Sequence, residues 1–139
     1  MLTDLLSIKV LSPSKPILEV DAKSIILPST FGYVQILPGH AAYIAEMDVG
    51  EIVIETNKQQ ETSRFFISGG YVEVENNKVS VLADVIEIPS EIDQNRAEAS
   101  RKRALDRLSS QDSSVDVERA LSALKRAEIR LLTIRSSKI

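Results

Sequence analysis

The spacing of apolar residues changes once along this chain, at Pro89, and that change constrains the architecture more than any other feature. From residue 5 to 88 apolar side chains recur at every second position in short runs, such as Leu6/Ile8/Val10, Ile52/Ile54 and Val79/Val81. Such alternation, rich in β-branched residues, suits strands with one face in a core. No stretch before Pro89 sustains helical periodicity beyond two turns. The remainder of the chain has neither glycine nor proline after Pro89 and reads as helix. Charge changes at the same place: residues 1–88 carry a net −6 and residues 89–139 a net +3, giving −3 for the 139 residues. Two units are therefore expected, a β sandwich over 1–88 and a two-helix antiparallel hairpin over 89–139, an α+β organisation.

The sharpest local signal in the first unit is a hairpin. Tyr71-Val72-Glu73-Val74-Glu75 and Lys78-Val79-Ser80-Val81-Leu82 flank Asn76-Asn77, and asparagine tolerates the positive φ that a type I′ turn demands. This register sets Val74 against Val79 and Val72 against Val81 on one face, with Glu75 opposite Lys78 on the other. Further turn signals fall at Ser12-Pro13, Pro28-Ser29, Pro38-Gly39 and Asn57-Lys58, a spacing suited to a sandwich or barrel.

In the second unit Ser90-Glu91-Ile92-Asp93 reads as a capping box, with Ser90 as N-cap and Asp93 at the third position. A first helix is expected to about Leu108, then a polar break over Ser109–Ser114, then a second helix from Val115 or Asp116 to about Ile134. Val117, Ala120, Leu124, Ala127, Leu131 and Ile134 form a narrow seam suited to one partner helix. The first helix answers with Ala97, Ala104, Leu105 and Leu108, interrupted by Arg101. So thin a seam buries little apolar area, and a hairpin able to detach is expected. Arg96, Arg103 and Arg107 repeat the spacing of Arg119, Arg126 and Arg130, each trio within a stripe of roughly 40–60° on its helix. Solvated faces with i,i+4 ion pairs are the plain reading of any one arginine. Two matching stripes point instead to a carboxylate-rich surface or a polyphosphate.

Composition removes several function classes. The chain has no cysteine and one histidine, His40, too little for a zinc site or a serine–histidine triad, and no metal site is expected. His40 reads as a turn or interface residue. Gly69-Gly70 lacks the surrounding glycines and lysine of a phosphate loop and reads as a bulge or close backbone approach. Ser68 has no histidine neighbour in sequence and is not a nucleophile. No apolar run reaches the roughly 18–20 residues of a membrane span. Met1–Leu6 carries an acid where a secretory leader carries lysine or arginine, so a cytosolic chain, or one at a membrane only through partners, is expected.

Two motifs carry a family resemblance. Leu37-Pro38-Gly39-His40-Ala41, followed by a strand and Gly50, resembles a signature of the epsilon subunits of bacterial F-type ATP synthases. Ser68-Gly69-Gly70-Tyr71-Val72-Glu73-Val74, continuing to Val79-Ser80-Val81-Leu82-Ala83-Asp84, is similar to that family's second signature. The resemblance implies a ten-stranded sandwich that docks on the gamma subunit and the c-ring. It also implies a hairpin that folds onto the sandwich or extends toward the alpha/beta catalytic subunits and inhibits ATP hydrolysis there. It implies a rotor subunit of the central stalk with no catalytic residues of its own, peripheral to the cytoplasmic face of the cell (inner) membrane through the complex.

Ile92-Asp93-Gln94-Asn95-Arg96-Ala97 is similar to a nucleotide motif of some family members. Matched position by position, Glu87, Asp93, Arg96, Ala97, Arg103, Arg126 and Arg130 are the implied ATP site, with ATP a regulatory ligand and no cofactor required. Tyr33, His40, Arg119 and Lys125 are the implied partner contacts. Gly32-Tyr33-Val34-Gln35-Ile36 departs from the family pattern, Tyr33 replacing an acid near the c-ring contact and Gln35 a glycine. Rival readings are a nucleic-acid module using the basic hairpin, a small enzyme, and a free-standing nucleotide sensor. The first is disfavoured by overall acidity and few aromatics, and no nucleic-acid partner is expected. The second is disfavoured by the missing chemistry, and the third requires ATP binding without any synthase partner.

Overall fold

Six strands precede two helices in the computed structural model, which describes residues 5–56 and 61–137. The strands are β1 (Leu6–Ser12), β2 (Lys15–Ser29), β3 (Gly32–Ile36), β4 (Tyr43–Thr56), β5 (Thr62–Glu75) and β6 (Lys78–Glu87). They pair in the order β1-β6-β5-β4-β2-β3, and β1 also pairs with β2. Five strands thus close on themselves, with β3 added outside β2. Closure leaves few unpaired edges, the usual hazard of an all-β unit. The expected alternation is observed: Leu6, Ile8 and Val10 are buried between exposed neighbours, as are Val79, Val81 and Ala83. They join Ile25, Leu27, Ile52, Ile54, Ile67 and Val72 in one core.

The expected ten strands are six because β2, β4 and β5 run 14 or 15 residues through bends. Along β4 the inward residues change from Met47 to Ile52 and Ile54, an odd-to-even switch. Opposite it, β5 bends at Gly69 and Gly70, with φ of +78° and +124°. A Cβ on Gly70 would lie 2.0 Å from the Leu82 carbonyl oxygen, the close backbone approach expected there. Each long strand therefore serves two layers as one element, with the β2–β4 register shifting between Ile26 and Ser29.

The Asn76–Asn77 turn has φ of 50° and 63°, and the predicted register holds: Val74↔Val79, Val72↔Val81 and Glu75↔Lys78. Turns fall at Pro13–Ser14 and Pro38–Gly39 as expected. The signal at Pro28-Ser29 proves to be strand: Pro28 pairs with Tyr33, and the chain turns at Thr30–Phe31. The Ser29 hydroxyl organises that turn, accepting from the Phe31 N–H at 3.2 Å and donating to the Gly32 carbonyl at 2.6 Å. Asn57-Lys58 and the first four residues of the chain lie outside the described residues.

Past β6, Pro89–Glu91 makes a single 3-10 turn, followed by α1 (Gln94–Ser109) and α2 (Val117–Ser136). The capping box expected at Ser90 is displaced. Ile92 is extended, with φ −81° and ψ 124°, so the first turn does not continue. Asp93 is itself the N-cap, its carboxylate accepting from the Arg96 N–H at 3.1 Å. Asp116 caps α2 in the same way through the Arg119 N–H at 3.0 Å.

Ala97, Ala104, Ala120, Ala127 and Ile134 are buried, so the seam, expected to be only partly alanine, is mostly alanine at its buried positions. Its ends are looser: Leu105 is partly exposed, and Val117, at the loop end of the hairpin, is exposed. Arg101 spans the helices to Glu128 at 3.6 Å. Helix α2 is the one that lies on β4 and β5, while α1 packs chiefly on α2.

Candidate functional site

The outward side chains of three paired strands form the floor beneath α2. Glu51 on β4 pairs with Phe66 on β5, which pairs with Glu87 on β6, giving a row of acid, aromatic, acid. These residues lie on the far side of the bends from the exposed Ile44, Tyr71 and Leu82. Helix α2 reads the row with two residues three apart, as one helical face requires. Arg130 grips Glu87 with two bonds, Nε to Oε1 at 2.8 Å and an NH2 to Oε2 at 3.1 Å. Its guanidinium also sits 4.4 Å over the Phe66 ring, a cation–π contact of about 1–2 kcal/mol where partly shielded from water. The Thr133 hydroxyl donates to Glu51 Oε2 at 2.9 Å. Farther along, Lys125 Nζ meets Asp48 Oδ2 at 3.1 Å. The Asp48 carboxyl is held below the ordinary carboxylate range, first by the Val49 N–H it accepts and then by Lys125.

A cleft of about 300 Å³ opens beside this floor. Glu87 closes one wall from the end of β6. Glu91, Ile92 and Asp93 follow from the turn, Arg96, Ala97 and Ser100 from α1, and Arg130 from α2. Five of the seven residues expected to hold nucleotide, Glu87, Asp93, Arg96, Ala97 and Arg130, are thus brought together. Arg103 stands at the margin, donating to the Ser100 hydroxyl at 3.0 Å. Arg126 is one turn before Arg130 on its stripe and is not among the lining side chains. The stripes converge because the helices are antiparallel, which sets the start of α1 beside the end of α2. Two guanidiniums at one opening suit an anion of several oxygens. The two carboxylates expected to bind nucleotide already have partners, Asp93 as helix cap and Glu87 through Arg130.

The expected partner contacts lie elsewhere. Tyr33 is half exposed, but its hydroxyl accepts from the Glu51 N–H at 3.1 Å, and a Cβ on Gly50 would come within 2.6 Å of that oxygen. The Tyr33 side chain thus braces β3 against β4. His40 follows the Pro38–Gly39 turn, its Nδ1 2.7 Å from the Ala41 carbonyl and its ring edge-on to Tyr43. Arg119 is exposed in the first turn of α2. Lys125 is engaged within the chain by Asp48. Sequence reasoning missed Glu51, Phe66 and Thr133. One available signal was an acid set among Val49, Gly50, Ile52, Val53 and Ile54, where alternation alone asks for no charge. Among the described residues no group of three His, Cys, Asp or Glu could hold a metal ion, and no helix is long and apolar enough to cross a membrane.

Comparison with known proteins covers both units. Residues 5–89 match the family described as ATP synthase, Delta/Epsilon chain, beta-sandwich domain, and residues 90–135 match the long alpha-helix domain of the same family. The ATP synthase epsilon chain of Desulfitobacterium hafniense strain Y51 is 38% identical over 130 residues, 94% of this chain and 96% of that one. The epsilon chain of Clostridium novyi is 40% identical over 124 residues, 89% and 93% of the two chains. Among solved structures, a chain in the cryo-EM structure of the Euglena gracilis mitochondrial ATP synthase (OSCP, F1 and c-ring) superposes with a TM-score of 0.81. That alignment covers all of this chain and 84% of the other at 16% identity, a likeness of fold.

Proposed function

The chain belongs to the ATP synthase delta/epsilon chain family, and from that membership we propose that it works as the non-catalytic epsilon subunit of a proton-translocating F-type synthase rotor. The observation that carries this reading is the family match through both units, from residue 5 to 135, with bacterial epsilon chains aligned over nearly their whole length. In this reading residues 1–88 anchor the subunit on gamma and the c-ring, at the cytoplasmic face of the cell membrane, and couple the catalytic head to the ring. The β2–β3 hairpin, with Phe31 fully exposed at its tip, and the uncovered face bearing Ile44, Tyr71 and Leu82 offer apolar surface for such contacts.

Residues 89–139 are the regulatory unit. Lifted off the row Glu51–Phe66–Glu87, the hairpin presents its arginine stripes to acidic segments of the alpha/beta head and slows ATP hydrolysis. ATP in the cleft between Glu87, Asp93, Arg96 and Arg130 favours the docked form, because the ligand spans Arg96 of α1, Arg130 of α2 and Glu87 at the end of β6.

The test is ATP hydrolysis by the purified catalytic head, with the full chain and with a chain stopped after Ile88. Higher activity with the shortened chain, still bound to gamma, supports an anchoring sandwich and a braking hairpin. Equal activity removes the brake, and failure of both to bind gamma removes the rotor role. Calorimetry with millimolar ATP tests the cleft: no heat from the full chain, or heat unchanged by Arg96→Ala, rejects it.

A further inference from the structure

One carboxylate is buried where the hairpin meets the sandwich. Glu51 is 5% exposed, and its backbone is fixed on both sides by the ladder of β4 and by the Tyr33 hydroxyl. An ionised carboxylate has room for about four hydrogen bonds, and a buried one is costly unless well supplied. Among the described residues Glu51 finds few donors. Arg64, on the neighbouring strand, stands 3.7 Å from Oε1, within ion-pair range but beyond hydrogen-bond reach. The close donor is the Thr133 hydroxyl, at 2.9 Å.

That hydroxyl is itself contested. Thr133 Oγ1 also lies 2.9 Å from the Ile129 carbonyl one turn back along α2. One O–H carries one proton, so Glu51 and Ile129 compete for it. When α2 lifts away, the conflict ends. Thr133 keeps its bond to Ile129 within the helix, Arg64 stays beside Glu51 on the sheet, and water supplies the carboxylate. The charge at this point therefore favours the lifted hairpin.

We propose that Glu51 is a release element: a buried, under-supplied carboxylate beneath α2 that weakens hairpin docking, while the Thr133 hydroxyl partly offsets it. The inference deepens the proposed regulatory role and rests on a hairpin that opens separately from the sandwich. It makes a prediction of sign that a simple clasp does not share. If Glu51 and Thr133 were two halves of a clasp, removing either would loosen α2. For a release element the two ends of the same hydrogen bond act in opposite directions.

Hydrogen exchange of the α2 amides in the full chain, referenced to β5 and β6 amides, reads this directly. Glu51→Gln keeps the shape and removes the charge, and α2 opening should become about tenfold rarer. Glu51→Met, an apolar chain of similar length, should shift exchange in the same direction and stands in should the amide variant fold poorly. Thr133→Val removes the one close donor among the described residues and should make opening about tenfold more frequent, with β5 and β6 unchanged. Faster α2 exchange in both Glu51 variants, or no change in any variant, overturns the proposal. A single common exchange rate for α2 and the sheet in the unaltered chain would instead show that the hairpin does not open by itself, and the regulatory reading falls along with this one.

Discussion

The core of the sandwich and the underside of the hairpin are built from different materials. Inside the sandwich, Ile25, Leu27, Ile36, Ile52 and Val81 are fully buried, and strand pairing closes around them. Each such side chain contributes about 1.5–3 kcal/mol by leaving water. Within the hairpin the buried side chains are four alanines, Thr133 and Ile134, and on the floor beneath it Phe66 and Glu51 are buried. An alanine methyl removes far less apolar surface, on the order of 1 kcal/mol, and the remaining adhesion comes from the Phe66 ring together with ions and hydrogen bonds. Apolar burial is not screened by salt as charges are, whereas charged contacts can be exchanged for water or another charged surface at small net cost. The frame and the part laid upon it thus differ in how readily each can be undone.

Substitutions that separate the two regions sharpen this contrast. Gly70→Ala should have the largest effect. Its Cβ would meet the Leu82 carbonyl oxygen at 2.0 Å, in a backbone conformation with φ +124°. A loss of roughly 3 kcal/mol or more from the sandwich is expected in urea denaturation, and an unchanged midpoint would mean that β5 does not need its bend.

Ala127→Leu comes next. Ala127 is 1% exposed in the alanine seam, and overpacking it should cost about 2 kcal/mol. The loss should show as faster exchange in α1 and α2, with the sheet unaffected. If the sandwich weakens equally, the two regions form one cooperative unit and the contrast breaks.

Arg130→Ala removes the grip on Glu87 and the contact with Phe66, and docking should weaken by about 1.5 kcal/mol. In the same variant any ATP heat should fall sharply, since Arg130 also lines the cleft.

The smallest effect belongs to Asp48. Its carboxyl is held low by the Val49 N–H and by Lys125, so its contribution is present above the unfolded value of about 4 and lost as pH falls through the lowered folded value. Asp48→Asn can still accept from Val49 and isolates the Lys125 share, on the order of 0.5 kcal/mol for a half-exposed pair. Exchange of α2 in this variant should lose a small part of its acid sensitivity between pH 5 and 3, limits chosen as roughly one unit either side of the ordinary carboxylate value.

Much of the fold was legible in the sequence, and the misses have local causes. The Asn76–Asn77 hairpin was readable because turn, apolar faces and the Glu75/Lys78 pair all selected one register. The capping box was misplaced by three residues because Pro89 starts a turn that Ile92 then breaks, leaving Asp93 to begin the helix. Ten strands became six because β2, β4 and β5 run on through bends instead of ending, β5 at Gly69 and Gly70. For the candidate site, the arginine spacing and the Asp93–Ala97 segment were visible, and five expected residues do meet. Arg126 lies outside the cleft because a stripe on one helix fixes direction, not which of its members a neighbouring element reaches.

What the sequence determined by itself is what neighbouring residues decide among themselves. This covers the change of period at Pro89, the positive φ of Asn76 and Asn77, the alanine face of α2, and the charge difference between the two units. Each depends on side chains a few positions apart, whose geometry secondary structure fixes. The docking floor depends on residues 82 apart for Thr133 and Glu51, 43 for Arg130 and Glu87, and 77 for Lys125 and Asp48. No periodicity links such pairs. Only the closure of β4, β5 and β6 into adjacent strands sets Glu51, Phe66 and Glu87 in one row, and only the packing of α2 across that row brings Thr133 to Glu51 and Arg130 to Glu87.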